Sequence, residues 1–154
     1  MADRAPPFAS AWIEQLSGGR RMDSHLDLAF PGCDVAVSSN DSRLIERLTF
    51  YFKDFVSKRS GGLGIRITAV EAPELRPAVE LQDKAPDPGK ERVKEQYADL
   101  GDGRMVRKKL TGMLFVFTRE HHLAYGPCLA NDNQVVNYIN SRYIQWYLDR
   151  GHLL

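Results

Sequence analysis

Apolar residues along this chain fall into short stretches whose spacing changes from one to the next. Phe8, Trp12 and Leu16 recur at i, i+4 and i+8, which predicts a short helix ended by Gly18-Gly19. Leu26-Asp27-Leu28-Ala29-Phe30 alternates, as does Val35-Ala36-Val37, and Pro31-Gly32 between them is turn chemistry. Two strands are therefore expected. Ser39-Asn40-Asp41 offers a helix cap, after which Leu44, Leu48, Tyr51, Phe52 and Phe55 fall at helical spacing. Ser60-Gly61-Gly62-Leu63-Gly64 should end that helix, and Ile65 to Val70 reads as a strand by β-branching and alternation.

From Pro73 to Lys90 the pattern lapses, with Pro73, Pro77, Pro86 and Pro88 set among charges. This predicts a surface loop or linker. Arg92 to Ala98 follows as a strand, and Gly101-Asp102-Gly103 as a tight turn. Arg104 to Thr118 reads as one long strand, apolar on both faces over Met113–Phe117 and so central in a sheet. Gly112 within it suggests a bulge or a close backbone approach. Arg119 to His122 would turn the chain and Leu123-Ala124-Tyr125 would return it, completing a three-stranded antiparallel meander. Asn131, with Gln134 in capping-box spacing, opens a helix that runs to Arg150, and Gly151 sits where a left-handed cap belongs. The expectation is an α+β fold with a mainly antiparallel sheet, two principal helices and a short N-terminal helix. Residues 1–72, the loop 73–90 and residues 91–154 would form one compact domain.

Composition narrows the function. The 154 residues are 43% apolar, enough for a core, and include two Trp, six Tyr and seven Phe, which argues against disorder. Twenty-one basic and twenty acidic side chains give a net charge of +1, against a dedicated nucleic-acid binder. A complete nucleotide-dependent kinase normally needs more chain than this. Cys33 and Cys128, without CxxC spacing, fit a reducing compartment. No signal-like start and no membrane-length apolar run is present, so a cytoplasmic protein is expected.

Nucleophile and metal motifs are missing: no phosphate loop of the G-x-x-x-x-G-K-[ST] kind, no G-x-S-x-G and no H-E-x-x-H. Gly61-Gly62-Leu63-Gly64 follows a helix and precedes a strand, the wrong order for a phosphate cradle. His121-His122 would point to opposite faces and chelate one ion poorly, which favours a solvated turn. Two features remain. Arg104, Arg107, Lys108 and Lys109 form a basic run, with Arg107 and Lys109 on one face and Lys108 on the other. It is either a solvated strand or a surface for an anion or acidic partner. On the last helix Asn133, Asn137 and Asn140 form an amide stripe flanked by apolar residues, with Ile144 and Leu148 on its side. Such amides need partners, in the sheet backbone or in a ligand or second polypeptide.

Three blocks carry a family resemblance: Gly103 to Met113, Tyr125-Gly126-Pro127-Cys128-Leu129, and Asn133 to Asn140 followed by Arg142-Tyr143-Ile144-Gln145-Trp146. With Arg150-Gly151 and Leu153-Leu154 they resemble the region just upstream of the kinase core in HPr kinase-related proteins, specifically the HprK-related kinase B group. In that family the phosphate-binding loop and acidic catalytic residues come after this region, so the resemblance puts no catalytic residue on this chain. It implies ATP and Mg²⁺ in the full-length relative, none in this chain, and a phosphocarrier-like protein substrate. It also implies that the apolar Leu153-Leu154 end packs against a kinase core.

The leading expectation is a non-catalytic module that docks a kinase core, a substrate protein or a second copy of itself. Arg107, Lys108 and Lys109 would be its electrostatic patch, and Asn137, Asn140, Arg142 and Trp146 a helix interface. The alternative is a small-molecule or anion sensor in which the basic strand and amide stripe line one pocket. Neither a nucleic acid nor a membrane is expected as a partner, and no metal site is expected.

Overall fold

The computed structural model describes residues 5–57 and 64–151. Its elements are α1 (Ala9–Ser17), β1 (Ser24–Phe30), β2 (Cys33–Ser39), α2 (Ser42–Tyr51), a 3-10 turn (Lys53–Phe55), β3 (Gly64–Glu71), β4 (Gln82–Asp83), β5 (Glu95–Leu100), β6 (Gly103–Lys108), β7 (Leu114–Phe117), β8 (His121–Gly126) and α3 (Asp132–Asp149). The strands form one sheet in the order β1-β2-β3-β8-β7-β6-β5-β4. β3 is parallel to both β2 and β8, and all the other pairings are antiparallel. The fold is α+β, with a mixed, mostly antiparallel sheet. Of the Gly61–Gly64 loop only Gly64 lies among the described residues, and His152, Leu153 and Leu154 lie outside them.

Strand alternation sorts side chains into two cores. Leu28, Val35, Val37, Ile67 and Phe115 point to one face, where Leu44 and Leu48 of α2 and Ile139 of α3 cover them. Val70, Met105, Leu114, Val116 and Leu123 point to the other, under Ala9, Trp12 and Leu16 of α1. The α2 connection supplies the crossover that parallel β2 and β3 require. The Asp41 side chain accepts from the Arg43 N–H at 2.8 Å and caps α2. Cys33 and Cys128 are both free and buried.

Three local readings change. The long strand over 104–118 is two strands, β6 and β7, folded back on each other by a turn in which the Gly112 N–H donates to Lys108 O at 2.8 Å. Gly112 sits at φ +75°, and a Cβ there would run into the side chain of Glu74, so this is a turn position and not a bulge. The meander therefore has four strands, β5 to β8. Second, no capping box forms at α3. Asn131 Nδ2 donates instead to Pro127 O at 2.9 Å, and Gln134 Oε1 accepts from Thr111 Oγ1 at 3.0 Å. Gly151 does take the left-handed cap, at φ +79°. Third, His121 and His122 belong to β8 and not to a turn, with His121 exposed and His122 buried.

The first part of the 73–90 segment stays close to the sheet. Leu75, Val79 and Leu81 pack on the α1-side core, and Gln82–Asp83 adds β4 beside β5. The cap of α1 comes from far along the chain. Asp102, in the β5–β6 turn, accepts from the Ala9 N–H at 2.5 Å and the Ser10 N–H at 3.2 Å. Hydrogen bonds from the Ser10 side chain and then from the backbone of Ser10 and Ala9 hold its carboxyl below the usual carboxylate range.

Candidate functional site

Alternation along β6 decides where its cations go. Arg104, Val106 and Lys108 face α3, whereas Met105 and Arg107 face the α1 side. Arg107 is 6% exposed, and its Nη2 lies 2.5 Å from Glu74 Oε1, in the 73–90 segment. Lys108 pairs with Glu95, its cross-strand neighbour, which also holds Lys84 Nζ at 3.5 Å. Lys109 has left the strand for the turn and is exposed, its backbone N–H donating to Lys94 O. The three cations expected as one patch are thus separated: one is buried on the opposite face, one lies in a groove and one sits at a turn.

The helix residues are separated too. Asn137 is exposed, Asn140 is half-buried, and neither bonds the sheet. Trp146 packs against the α3-side core with Arg150 stacked at 4.1 Å, beside a different hollow that contains Arg66 and Arg119. Lys108, Asn137 and Arg142 do come together, in a groove of about 400 Å³ between β5–β7 and α3.

This groove has an ordered interior. Tyr97, Phe115, Phe117 and Tyr138 form its apolar floor, with Phe115 and Tyr138 ring centroids 4.5 Å apart. The α3 wall carries Gln134, Asn137 and Ser141. At one end stand Lys108, Lys84 and Glu95. Burial raises the Glu95 carboxyl, but the hydrogen bond and charge of Lys108, joined by Lys84, outweigh it and hold it below the usual range. At the other end Arg104 pairs with Asp99 at 2.7 Å and stacks on Tyr97 at 4.7 Å.

Arg142 completes that second end. Its guanidinium lies 3.9 Å from the Phe117 ring centroid, a cation–π contact, and 5.9 Å from that of Tyr138. Its Nε is buried and has no hydrogen-bond partner, and no carboxylate among the described residues lies within ion-pair distance. Burial lowers its pKa, but a guanidinium remains charged at neutral pH. Beside it His122 is 4% exposed, and both its ring nitrogens lack partners. Burial first, then the charges of Arg142 and His121, push that imidazole down to about 3, so it is neutral.

The sequence pointed to Lys108, Asn137 and Arg142 but not to Tyr97, Glu95 or Lys84, which arrive from β5 and the loop before it. Among the described residues no group of three or more His, Cys, Asp or Glu could hold a metal ion. No helix among them is long and apolar enough to cross a membrane. No family model, curated protein or solved structure matches the chain.

Proposed function

We propose that the chain is a non-catalytic recognition module, of the kind found N-terminal to the core of an HPr kinase-related protein in the cytoplasm, and that its groove receives an anionic group. The observation that carries this reading is Arg142: a cation set on the Phe117 ring in the lining of the groove, with no carboxylate among the described residues within ion-pair distance. A partly desolvated guanidinium without a counter-ion favours the binding of an anion beside it. Lys108 and Asn137 line the same groove.

The test is a heteronuclear NMR titration with acetate and with inorganic phosphate at low ionic strength. Shifts should cluster at Lys108, Asn137, Ser141 and Arg142 and disappear in Arg142→Gln. Shifts that are absent, or that spread evenly over the surface lysines, overturn the reading.

A second reading, docking through the helix layer to a kinase core or a second copy, is favoured by Phe50 at 76% and Tyr51 at 62% exposure on α2, with Ile144 and Leu148 exposed on α3. Sedimentation at rising concentration tests the self-association form of it. A monomer at every concentration rules out the dimer.

A further inference from the structure

We infer that the groove binds an extended acidic peptide segment, with acidic residues at i and i+4 and an apolar residue at i+2 facing the floor. This rests on the anion-binding reading of the groove and assigns it a ligand class.

Charge is arranged unevenly along the trough. Glu95 is shared by Lys84 and Lys108, which leaves one positive charge in excess at that end. Arg104 and Asp99 cancel, and Arg142 leaves a second positive charge at the other end. The two ends are set by register: Lys108 lies opposite Glu95, while Arg104 lies opposite Phe117, on which Arg142 sits. Arg104 and Lys108 are four steps apart along the strand, about 13 Å. Along α3, Gln134 is hydrogen bonded to Thr111, in the turn just after Lys108, and Arg142 is eight residues on, about 12 Å. Helix and strand therefore run side by side for the same length, with an excess cation at each end and aromatic rings between.

The spacing of the two ends matches an extended backbone. In a strand, residues i, i+2 and i+4 face the same way, and i to i+4 spans about 13 Å. Two carboxylates so spaced reach the two cationic ends while the i+2 side chain rests on Tyr97, Phe115 and Tyr138. The α3 wall supplies what a peptide backbone needs. Asn137 offers a donor and an acceptor, Gln134, whose Oε1 accepts from Thr111, keeps its amide N–H groups to donate, and Ser141, whose hydroxyl donates to Tyr138 O at 2.8 Å, keeps an oxygen to accept with. A compact anion would use one end and leave this row idle.

The test compares synthetic peptides by calorimetric titration at low ionic strength, with Glu-Ser-Phe-Ser-Glu flanked by Gly-Ser as the probe. Moving the second Glu next to the first, or changing both Glu to Gln, should weaken binding at least tenfold. Arg142→Gln and Lys108→Gln should each weaken the parent peptide about tenfold, while the doubly neutral peptide responds to neither. Equal binding of the parent and moved-Glu peptides overturns the two-ended reading. If acetate or phosphate perturbs the groove by NMR but no peptide binds, the peptide assignment falls and anion binding stands. If neither the small anions nor the peptides bind, both fall.

Discussion

Replacing His122 with Leu should remove an acid sensitivity that the wild-type fold carries. His122 is 4% exposed, packed near Phe117 and Arg142, and both ring nitrogens lack partners. Its pKa falls from the ordinary 6.5 to about 3 on folding, through burial first and then the neighbouring positive charges. A folded-state pKa below the unfolded one means that, as pH falls through 6.5, the unfolded chain takes up a proton that the folded chain refuses. Stability is lost from that point downward. Each unit of difference is worth about 1.4 kcal/mol, so going from pH 7 to pH 5 should cost roughly 2 kcal/mol. Ordinary carboxylates titrate mainly below this window. Urea unfolding followed by circular dichroism at pH 7, 6 and 5 measures it. The wild type should lose about 2 kcal/mol over the series, and His122→Leu should stay within about 0.5 kcal/mol of its pH 7 value. Leu also removes two unsatisfied buried nitrogens, so the variant should be at least as stable as wild type at pH 7. Equal pH slopes in the two proteins would refute the reasoning.

The buried Arg107–Glu74 pair gives an asymmetric prediction. Glu74→Gln leaves an uncompensated cation on a side chain 8% exposed, and with Glu74 itself 47% exposed the cost should be about 2 kcal/mol, or roughly 4–8 °C in Tm. Arg107→Met removes the charge and should cost less than Glu74→Gln in the same thermal melt; the reverse order would sink the account. Gly112→Ala should destabilise by about 1–2 kcal/mol for its left-handed backbone alone, with a further loss because the new Cβ displaces Glu74. Denaturant midpoints check this, and the further loss should vanish when Glu74 is also changed to Ala.

Local signals were legible wherever pattern and punctuation agreed. The β1–β2 hairpin follows from alternation on either side of Pro31-Gly32, and α2 from Asp41 and its apolar stripe. The β6–β7 turn was hidden because Lys109-Leu110-Thr111 continues the strand pattern, yet Leu110 is 89% exposed at the tip. Arg107 read as a surface cation because charged side chains seldom enter a core, and only the tertiary fold brings Glu74 to it. Capping of α1 by Asp102 and the gathering of Tyr97, Glu95 and Lys84 in the groove involve residues far apart in the chain. No local window contains them. Adjacent histidines after a charged pair have the pattern of a solvated turn, although pairing with β3 puts His122 inside.

The placement of β3 between β2 and β8 also governs the order of assembly. On one side β3 meets β2, made shortly before it, while on the other Arg66 must wait for His121, 55 residues later. At 5–20 residues per second on the ribosome, that wait is about 3–11 s. During it the Ile65-Arg66-Ile67-Thr68-Ala69 edge has no native strand beside it, and an open edge of this kind is a template for pairing with other chains. Synthesis that stalls before Leu123 would therefore release a chain prone to aggregate through β3, whereas a few more residues would close that edge.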